Sequence, residues 1–247
     1  MARRIFFGDV HGQYDGLMHL LEAIAPAGDD ALYFVGDLID RGAKSAQVVD
    51  YVRDHASGCV LGNHEQLLLD AFSNDGNNGV ALHAWLYSGG QATLASYDGN
   101  VERLTDHIQW MRQLPLYIDL QDVWLVHAGV APDLAIAEQS AEEFCWIRDS
   151  FHSSPKPYFA NKLIITGHTI TFTFPDVAPG QIVSGPGWLD IDTGAYHPRS
   201  GWLTAVDIDS EQVYQVNVYE RKRRTRSLEA ASTPFTQGRQ RISTPRP

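Results

Sequence analysis

Two turns rich in polar side chains, each directly after a short apolar run, constrain this chain more than any other feature. The first turn, residues 36–42, reads Gly-Asp-Leu-Ile-Asp-Arg-Gly, and the second, residues 62–65, reads Gly-Asn-His-Glu. Short apolar runs that stop at glycine and alternate with helical patterns are typical of buried parallel strands. Ligand sites in such sheets lie beyond the carboxyl ends of the strands, so both turns are expected at a functional site.

Three further strand-like runs end in the same way. Asp9 and His11 follow the first run, His127 follows residues 123–126, and His168 follows residues 163–166. A single glycine-flanked aspartate is most often an ordinary turn. Five such ends that all supply oxygen or imidazole donors, with no thiolate, favour one metal site.

The donor set suits a centre of two metal ions that handles phosphate. A carboxylate can bridge two ions with its two oxygens, and Asp37 is the natural bridge. The expected ligands are Asp9, His11 and Asp37 for one ion, and Asp37, Asn63, His127 and His168 for the other.

Three residues of the same two turns suit the remaining chemistry. His64 follows a ligand without needing to bind metal, so it could protonate the leaving group. Asp40 could orient His64 and favour its protonated form. Arg41 offers a planar fork for two phosphate oxygens.

Composition describes an ordinary globular chain of 247 residues, with 44% hydrophobic residues. No apolar run approaches the ~20 residues of a membrane span. Asp9 lies so close to the start that we expect no cleaved signal peptide and a cytoplasmic protein. Two cysteines, Cys59 and Cys145, fit a reducing compartment without a disulfide framework.

Charge divides the chain into a body and a tail. Residues 221–247 hold eight basic residues and one acidic residue, a net charge of +7. The total for the chain is −11, so the first 220 residues carry a net charge of −18. The acidic body repels nucleic acid, whereas the basic tail could bind RNA or an acidic partner. We expect a catalytic domain over 1–220 with a helical insertion at 80–113, a solvated loop at 73–79, and a disordered tail over 221–247.

The order of these motifs closely resembles the PPP-type, calcineurin-like metallophosphoesterases, and in particular their bacterial serine/threonine protein phosphatases. The resemblance runs from about residue 5 to residue 218, and residues 85–90, 144–149 and 191–195 look like the bacterial subgroup. It implies an α/β fold built as a β-sandwich of mixed sheets flanked by helices.

The resemblance also implies roles for named residues. The ligands given above match the family's two metal sites, usually filled by Mn²⁺ in bacterial members, and His64 with Asp40 matches its acid dyad. Arg41 and Arg148 match its phosphate clamp, although Arg148 could instead pair with Asp149. The implied reaction is direct attack by a metal-bridging hydroxide, without a phosphoenzyme.

We therefore expect a protein phosphatase acting on phosphoserine and phosphothreonine in phosphoproteins, with phosphotyrosine left open. Two alternatives remain: a symmetrical dinucleoside tetraphosphate hydrolase with nearly the same ligands, and a scaffold that keeps the fold only for binding. The chain departs from the family at residues 170–171 and 197–199, and both departures bear on substrate preference.

Overall fold

The computed structural model describes residues 2–73 and 79–235, whose strands form two six-stranded mixed sheets. The strands are β1 (Arg4–Phe7), β2 (Ala31–Phe34), β3 (Gly58–Cys59), β4 (Tyr117–Asp119), β5 (Val123–Val126), β6 (Leu163–Thr166), β7 (Ile182–Gly185), β8 (Trp188–Asp190), β9 (Trp202–Asp207), β10 (Gln212–Asn217), β11 (Arg223–Ser227) and β12 (Ser232–Pro234). The α-helices are α1 (Tyr14–Ile24), α2 (Ser45–His55), α3 (Asn63–Ala71), α4 (Gly79–Trp85), α5 (Gln91–Ser96), α6 (Val101–Met111), α7 (Ala141–Trp146), α8 (Asp149–His152) and α9 (Leu228–Ala231).

Each sheet combines parallel and antiparallel pairs of strands. The first sheet runs β11-β10-β9-β1-β2-β3, with β1, β2 and β3 parallel to one another. The second runs β12-β7-β8-β6-β5-β4, with β5, β6 and β8 parallel. The five strand-like runs of the sequence are therefore parallel strands, but they are divided between two sheets.

The two sheets pack face to face, and alternation along the strands separates three apolar layers. Phe6 of β1 and Leu125 of β5 share the core between the sheets. Ile5 and Phe7 face the opposite side of the first sheet, where α1 and α2 pack. Trp124 belongs to the outer core of the second sheet. The expected α/β fold of mixed sheets flanked by helices is confirmed.

The helices follow the expected hydrophobic periodicity. In α1, Leu17, Leu20, Leu21 and Ile24 lie on the buried side. That helix ends at Ala25, whose left-handed backbone directs its N–H to the carbonyl of Leu21, and Pro26 follows. The segment expected to be a helical insertion, residues 80–113, consists of α4, α5 and α6 joined by short connections.

The expectation of disorder is wrong for residues 223–235, because β11, α9 and β12 join the fold there. Strand β11 pairs with β10, and β12 pairs with β7. The inward positions of β11 hold Arg224 and Arg226 rather than apolar residues. Their guanidinium groups donate to the side-chain oxygen of Gln215 and the carbonyl of Gly180, and Arg224 lies 3.8 Å from the ring of Trp202. Because these inward residues are polar, the segment lacks the alternation of apolar and polar residues that would have predicted a strand.

Residues 236–247 of the expected tail, and 74–78 of the expected loop, lie outside the described residues. Within 2–73 and 79–235, no helix has the length and apolarity needed to cross a membrane. Cys59 and Cys145 are both buried free thiols.

Candidate metal centre

The carboxyl ends of five parallel strands bring all six expected metal ligands to one place between the sheets. Strands β1, β2 and β3 come from the first sheet, and β5 and β6 come from the second. All six side chains are buried, with at most 6% of any residue exposed. They are Asp9, His11, Asp37, Asn63, His127 and His168.

The turns that carry these side chains have unusual backbones and tight contacts. His11, Asp37 and His168 all have positive φ angles, of 45°, 50° and 69°, which non-glycine residues rarely adopt. Gly62 and Gly167 have no room for a side chain, since a Cβ there would collide with the carboxylates of Asp37 and Asp9 respectively. The close approach of the donor carboxylates thus requires glycine at both of these positions.

The contact between His127 and Asn63 indicates that a cation belongs between them. Nδ1 of His127 lies 2.8 Å from the carbonyl of Val35 and donates to it. In a neutral imidazole the other nitrogen, Nε2, then carries a lone pair, and it faces Oδ1 of Asn63 at 3.0 Å. Two acceptors at that distance repel each other, whereas two ligands of one cation with bonds of about 2.1 Å stand roughly this far apart.

Further donors surround the same point. The same Oδ1 of Asn63 is 2.8 Å from Nδ1 of His168, and Oδ1 of Asp37 is 3.4 Å from Nε2 of His127. On the other side of Asp37, its Oδ2 lies 3.6 Å from Nε2 of His11, whose Nδ1 is held by the carbonyl of Ile39 at 2.9 Å. Asp37 therefore presents one oxygen to each group of donors, and backbone carbonyls orient both imidazoles.

Electrostatics also favour bound cations. Burial raises the pKa of Asp9 well above its usual range, and the nearby carboxylates of Asp192, Asp37 and Asp190 raise it further. Burial lowers the pKa of His11 to about 3, with a further contribution from His64. It also lowers the pKa values of the two other expected ligand histidines. Neutral imidazoles beside crowded carboxylates are suitable ligands for divalent cations, so the donor set fits the expected metals.

His64 differs from the other histidines of the site. Its Nδ1 lies 2.6 Å from Oδ2 of Asp40, and its backbone N–H donates to Asp37 at 3.0 Å. Burial lowers the pKa of His64, but the charges of Asp37 and Asp40 outweigh burial and raise that pKa overall. This imidazole is therefore the one suited to hold a proton.

Asp40 is in turn held by two residues from the helical segment. The indole N–H of Trp85 and the hydroxyl of Thr93 both donate to its carboxylate, at 3.0 Å and 2.7 Å. The backbone N–H of Asp40 donates to Thr93 and to Ser45. Neither residue was expected at the site from the sequence: residue 85 was noted within a stretch that resembles the bacterial subgroup, and Thr93 was not singled out.

Above the donors lies an open cavity of about 310 Å³. Arg41 and Arg148 both line it. The guanidinium of Arg41 lies 4.5 Å from the ring centre of Tyr196, and Nη1 of Arg148 donates to the carbonyl of His168 and the hydroxyl of Thr169, both at 3.1 Å. Arg148 thus points to the site rather than pairing with Asp149.

Two more acidic residues serve the site without having been assigned to it. Glu65 accepts the backbone N–H groups of Asp37, Leu38 and Gly62, and so ties the two central turns together. Its position three residues after Gly62 at the start of α3 was the available signal. Asp192 caps a turn by accepting the N–H of Gly194 at 2.9 Å, and it also lines the cavity.

Comparison with known proteins decides the family. A model of the calcineurin-like phosphoesterases matches residues 2–187. The chain belongs to this calcineurin-like phosphoesterase family. Among solved structures, a candidate diadenosine tetraphosphatase has a TM-score of 0.61 at 22% identity, over 92% of this chain and 93% of that one. This likeness supports the fold.

Curated sequence relatives within the family share a name. The symmetrical bis(5'-nucleosyl)-tetraphosphatase of Vibrio cholerae is 37% identical over 142 residues, which cover 55% of this chain and 48% of that protein. The protein of the same name from Actinobacillus succinogenes is 39% identical over 147 residues, or 56% and 49%. The chain thus spans about half the length of these relatives.

These relatives correct two expectations. The chain was expected to be a protein phosphatase with phosphoprotein substrates, and that expectation is contradicted by relatives named as dinucleoside tetraphosphatases. The physical reason is that both reactions attack a phosphorus atom and can use the same donors, acid and arginines. The motifs that suggested a protein phosphatase therefore identify the phosphoesterase family without identifying its substrate.

Proposed function

We propose that this chain hydrolyses dinucleoside tetraphosphates symmetrically, giving two nucleoside diphosphates, at a centre that holds two divalent cations. The observation that carries the proposal is the common name of the curated relatives at 37% and 39% identity. The buried set of oxygen and imidazole donors supports it, because such sets bind the cations used in phosphate chemistry.

Six residues would hold the cations. Asp9, His11 and Asp37 would bind one, and Asp37, Asn63, His127 and His168 would bind the other. Bound divalent cations supply a nucleophile at neutral pH and neutralise charge on phosphate oxygens. We expect Mn²⁺ to be the activating ion.

Arg41 and Arg148 would bind the polyphosphate. Both line the cavity above the donors, and neither has a carboxylate hydrogen-bond partner among the described residues, so their positive charge remains available to an anion. A guanidinium can contact two phosphate oxygens at once, which fixes both the position and the orientation of the chain of phosphates.

His64 would donate a proton to the oxygen that leaves with the second nucleoside diphosphate. The bond between one central phosphorus and the oxygen that bridges it to the other breaks, and the oxygen of water joins that phosphorus. The bridging oxygen leaves with the other nucleoside diphosphate and takes the proton of His64, and the proton that the water loses restores the protonated imidazole. Asp40 would hold the imidazole in place through the 2.6 Å contact to Nδ1, which leaves Nε2 towards the cavity.

The test is a product analysis with diadenosine tetraphosphate in the presence of Mn²⁺, Mg²⁺ or Zn²⁺. Anion-exchange chromatography should show ADP as the sole nucleotide product. AMP with ATP would contradict symmetrical cleavage. Rapid phosphate release from phosphoserine or phosphothreonine peptides, with no cleavage of the dinucleotide, would overturn the proposal. The Asp37→Asn variant provides the blank for contaminating hydrolases.

A further inference from the structure

One aromatic side chain of the cavity has no role in the chemistry described above. All six tryptophans of the chain lie in the described residues, and only Trp146 is exposed, at 39%. It lies at the end of α7 and lines the cavity together with Arg148 and Leu67. An indole at the edge of the cavity offers an aromatic face to a ligand bound there.

The indole is held in place rather than loosely exposed. Its N–H donates to the side-chain oxygen of Gln66 on α3 at 2.9 Å. Its ring centre lies 6.2 Å from that of His168, an expected metal ligand. Trp146 is therefore a fixed aromatic surface adjoining the metal centre, and a fixed ring loses little entropy when a ligand stacks on it.

The other large aromatic ring of the cavity is already occupied. The guanidinium of Arg41 lies over the ring of Tyr196 at 4.5 Å, and the edge-on ring of His11 lies 4.7 Å away. Trp146 has no such cation–π partner among the described residues. Of the two rings, Trp146 is the one available to a planar ligand.

Trp146 and Arg148 lie two positions apart and line the same cavity, which suits a ligand that carries both a planar base and phosphates. Residue 147 has an extended backbone, and the side chains on either side of it both line the cavity. Arg148 is proposed to bind phosphate, and the indole, which donates to Gln66, lines the same cavity. A nucleoside diphosphate joins its phosphates to a planar base through one ribose, so the two side chains could contact the two ends of one such group.

We propose that Trp146 is the stacking surface for a nucleobase of the substrate, an inference that rests on the proposed function. Stacking accepts any base, because every base has a π-face, and a purine offers the larger area. The indole then places the nucleoside, and Arg148 and the metal centre receive the phosphates beyond it.

The test compares two ligands that differ only by an adenosine group. ADP and inorganic pyrophosphate are titrated by calorimetry into the full chain in the same Mn²⁺ buffer. The native protein should prefer ADP. Trp146→Ala should lower the ratio of ADP affinity to pyrophosphate affinity by about tenfold or more, the usual loss for one stacked base. Trp146→Leu should behave like Trp146→Ala, whereas Trp146→Phe should keep most of the preference.

Tyr87→Ala is the matched control, because Tyr87 is 96% exposed and does not line the cavity. It should leave the ratio unchanged. An equal ratio in the native protein and in Trp146→Ala, or an equal loss in the Phe and Ala variants, would overturn the stacking role. If the chain fails to cleave diadenosine tetraphosphate but the ratio depends on Trp146, the proposed function fails while the stacking surface stands.

Discussion

The donors at the bottom of the cavity and the residues at its rim are held in different ways. We define the rim as Arg41, Trp146, Arg148 and Tyr196. Each donor follows a strand end within a short motif and is almost completely buried. The rim residues are partly or largely exposed, and apart from Arg41 they lie outside the strand-end motifs, so contacts with other segments position them.

This difference explains why the family and the substrate are not equally easy to infer. We expect the donors to hold the cations that phosphate chemistry uses, whatever the substrate. We expect the rim to determine which molecule carries the phosphate. Changes to donors should therefore reduce hydrolysis of all substrates alike, and changes to the rim should alter the preference among substrates.

The largest effect is expected for Asp37→Asn. Loss of the shared carboxylate should reduce kcat/KM more than about a hundredfold, which exceeds the usual effect of changing a group that only supports a ligand. It should also remove the rise in thermal unfolding temperature caused by Mn²⁺, because a cation that binds only the native state stabilises it. When kcat/KM is measured with two chemically different substrates, the fold-loss caused by Asp37→Asn should be the same for both.

Asp207→Asn is the control for this change. Asp207 is fully buried at the end of β9 and accepts the backbone N–H of Ser210 rather than facing the donors. This variant should keep both activity and the response to Mn²⁺. If Asp37→Asn loses activity but keeps the full metal-induced stabilisation, Asp37 is not the shared ligand.

The next effect is expected for His64→Asn, and its size should depend on the leaving group. An alkyl phosphate releases a strongly basic alkoxide, so removal of the proton donor should cost about a hundredfold to ten-thousandfold. Nitrophenolate and a nucleoside diphosphate are weaker bases and need less help. Steady-state kinetics on the three substrates measure the difference, and equal losses would argue against proton donation.

His107→Asn is a matched control for His64→Asn. His107 is also buried, and its Nε2 lies 2.9 Å from a carboxylate oxygen of Asp50. It belongs to α6, outside the cavity lining. Its replacement should lower thermal stability without a dependence of activity on the leaving group.

The sequence allowed the meeting of the six expected ligands at one place to be predicted, because each one lies within a few residues of its strand end. Their contacts could not be predicted so easily. Trp85 and Thr93 lie 45 and 53 positions from Asp40, and only the packing of the helical segment brings them to its carboxylate. Residues 223–227 escaped prediction because arginines bound to polar partners fill the inward positions of β11. Both the support of Asp40 and the formation of β11 depend on tertiary contacts, which a local sequence pattern does not show.

A smaller and more selective effect is expected for Arg148→Ala. Loss of a charged hydrogen-bond donor should weaken phosphate binding by about ten- to a hundredfold, mostly in KM. Arg148→Lys should restore little, because an ammonium cannot contact two phosphate oxygens in the same plane. Arg112→Ala is the control, since Arg112 is also exposed and donates to a backbone carbonyl, that of Phe72. Equal loss with every substrate would place Arg148 with the donors instead of the rim.

The smallest effect is expected for Trp85→Phe, which changes the support of Asp40 without touching the cavity. Trp85 is fully buried, and its indole N–H is one of two side-chain donors to Asp40 besides His64. Phe keeps most of the packing but removes that hydrogen bond, so kcat with an alkyl phosphate should fall by up to about tenfold through poorer alignment of His64. The loss should be smaller with nitrophenyl phosphate.

Trp110→Phe separates this effect from a general loss of packing. Trp110 packs against the same core from α6 and has no contact with Asp40 in the described residues. If both variants lose equal stability and neither changes the dependence on the leaving group, Trp85 is only a packing residue. A leaving-group dependence confined to Trp85→Phe would show that a residue distant in sequence controls the proton donor, even though the donors themselves are set by local motifs.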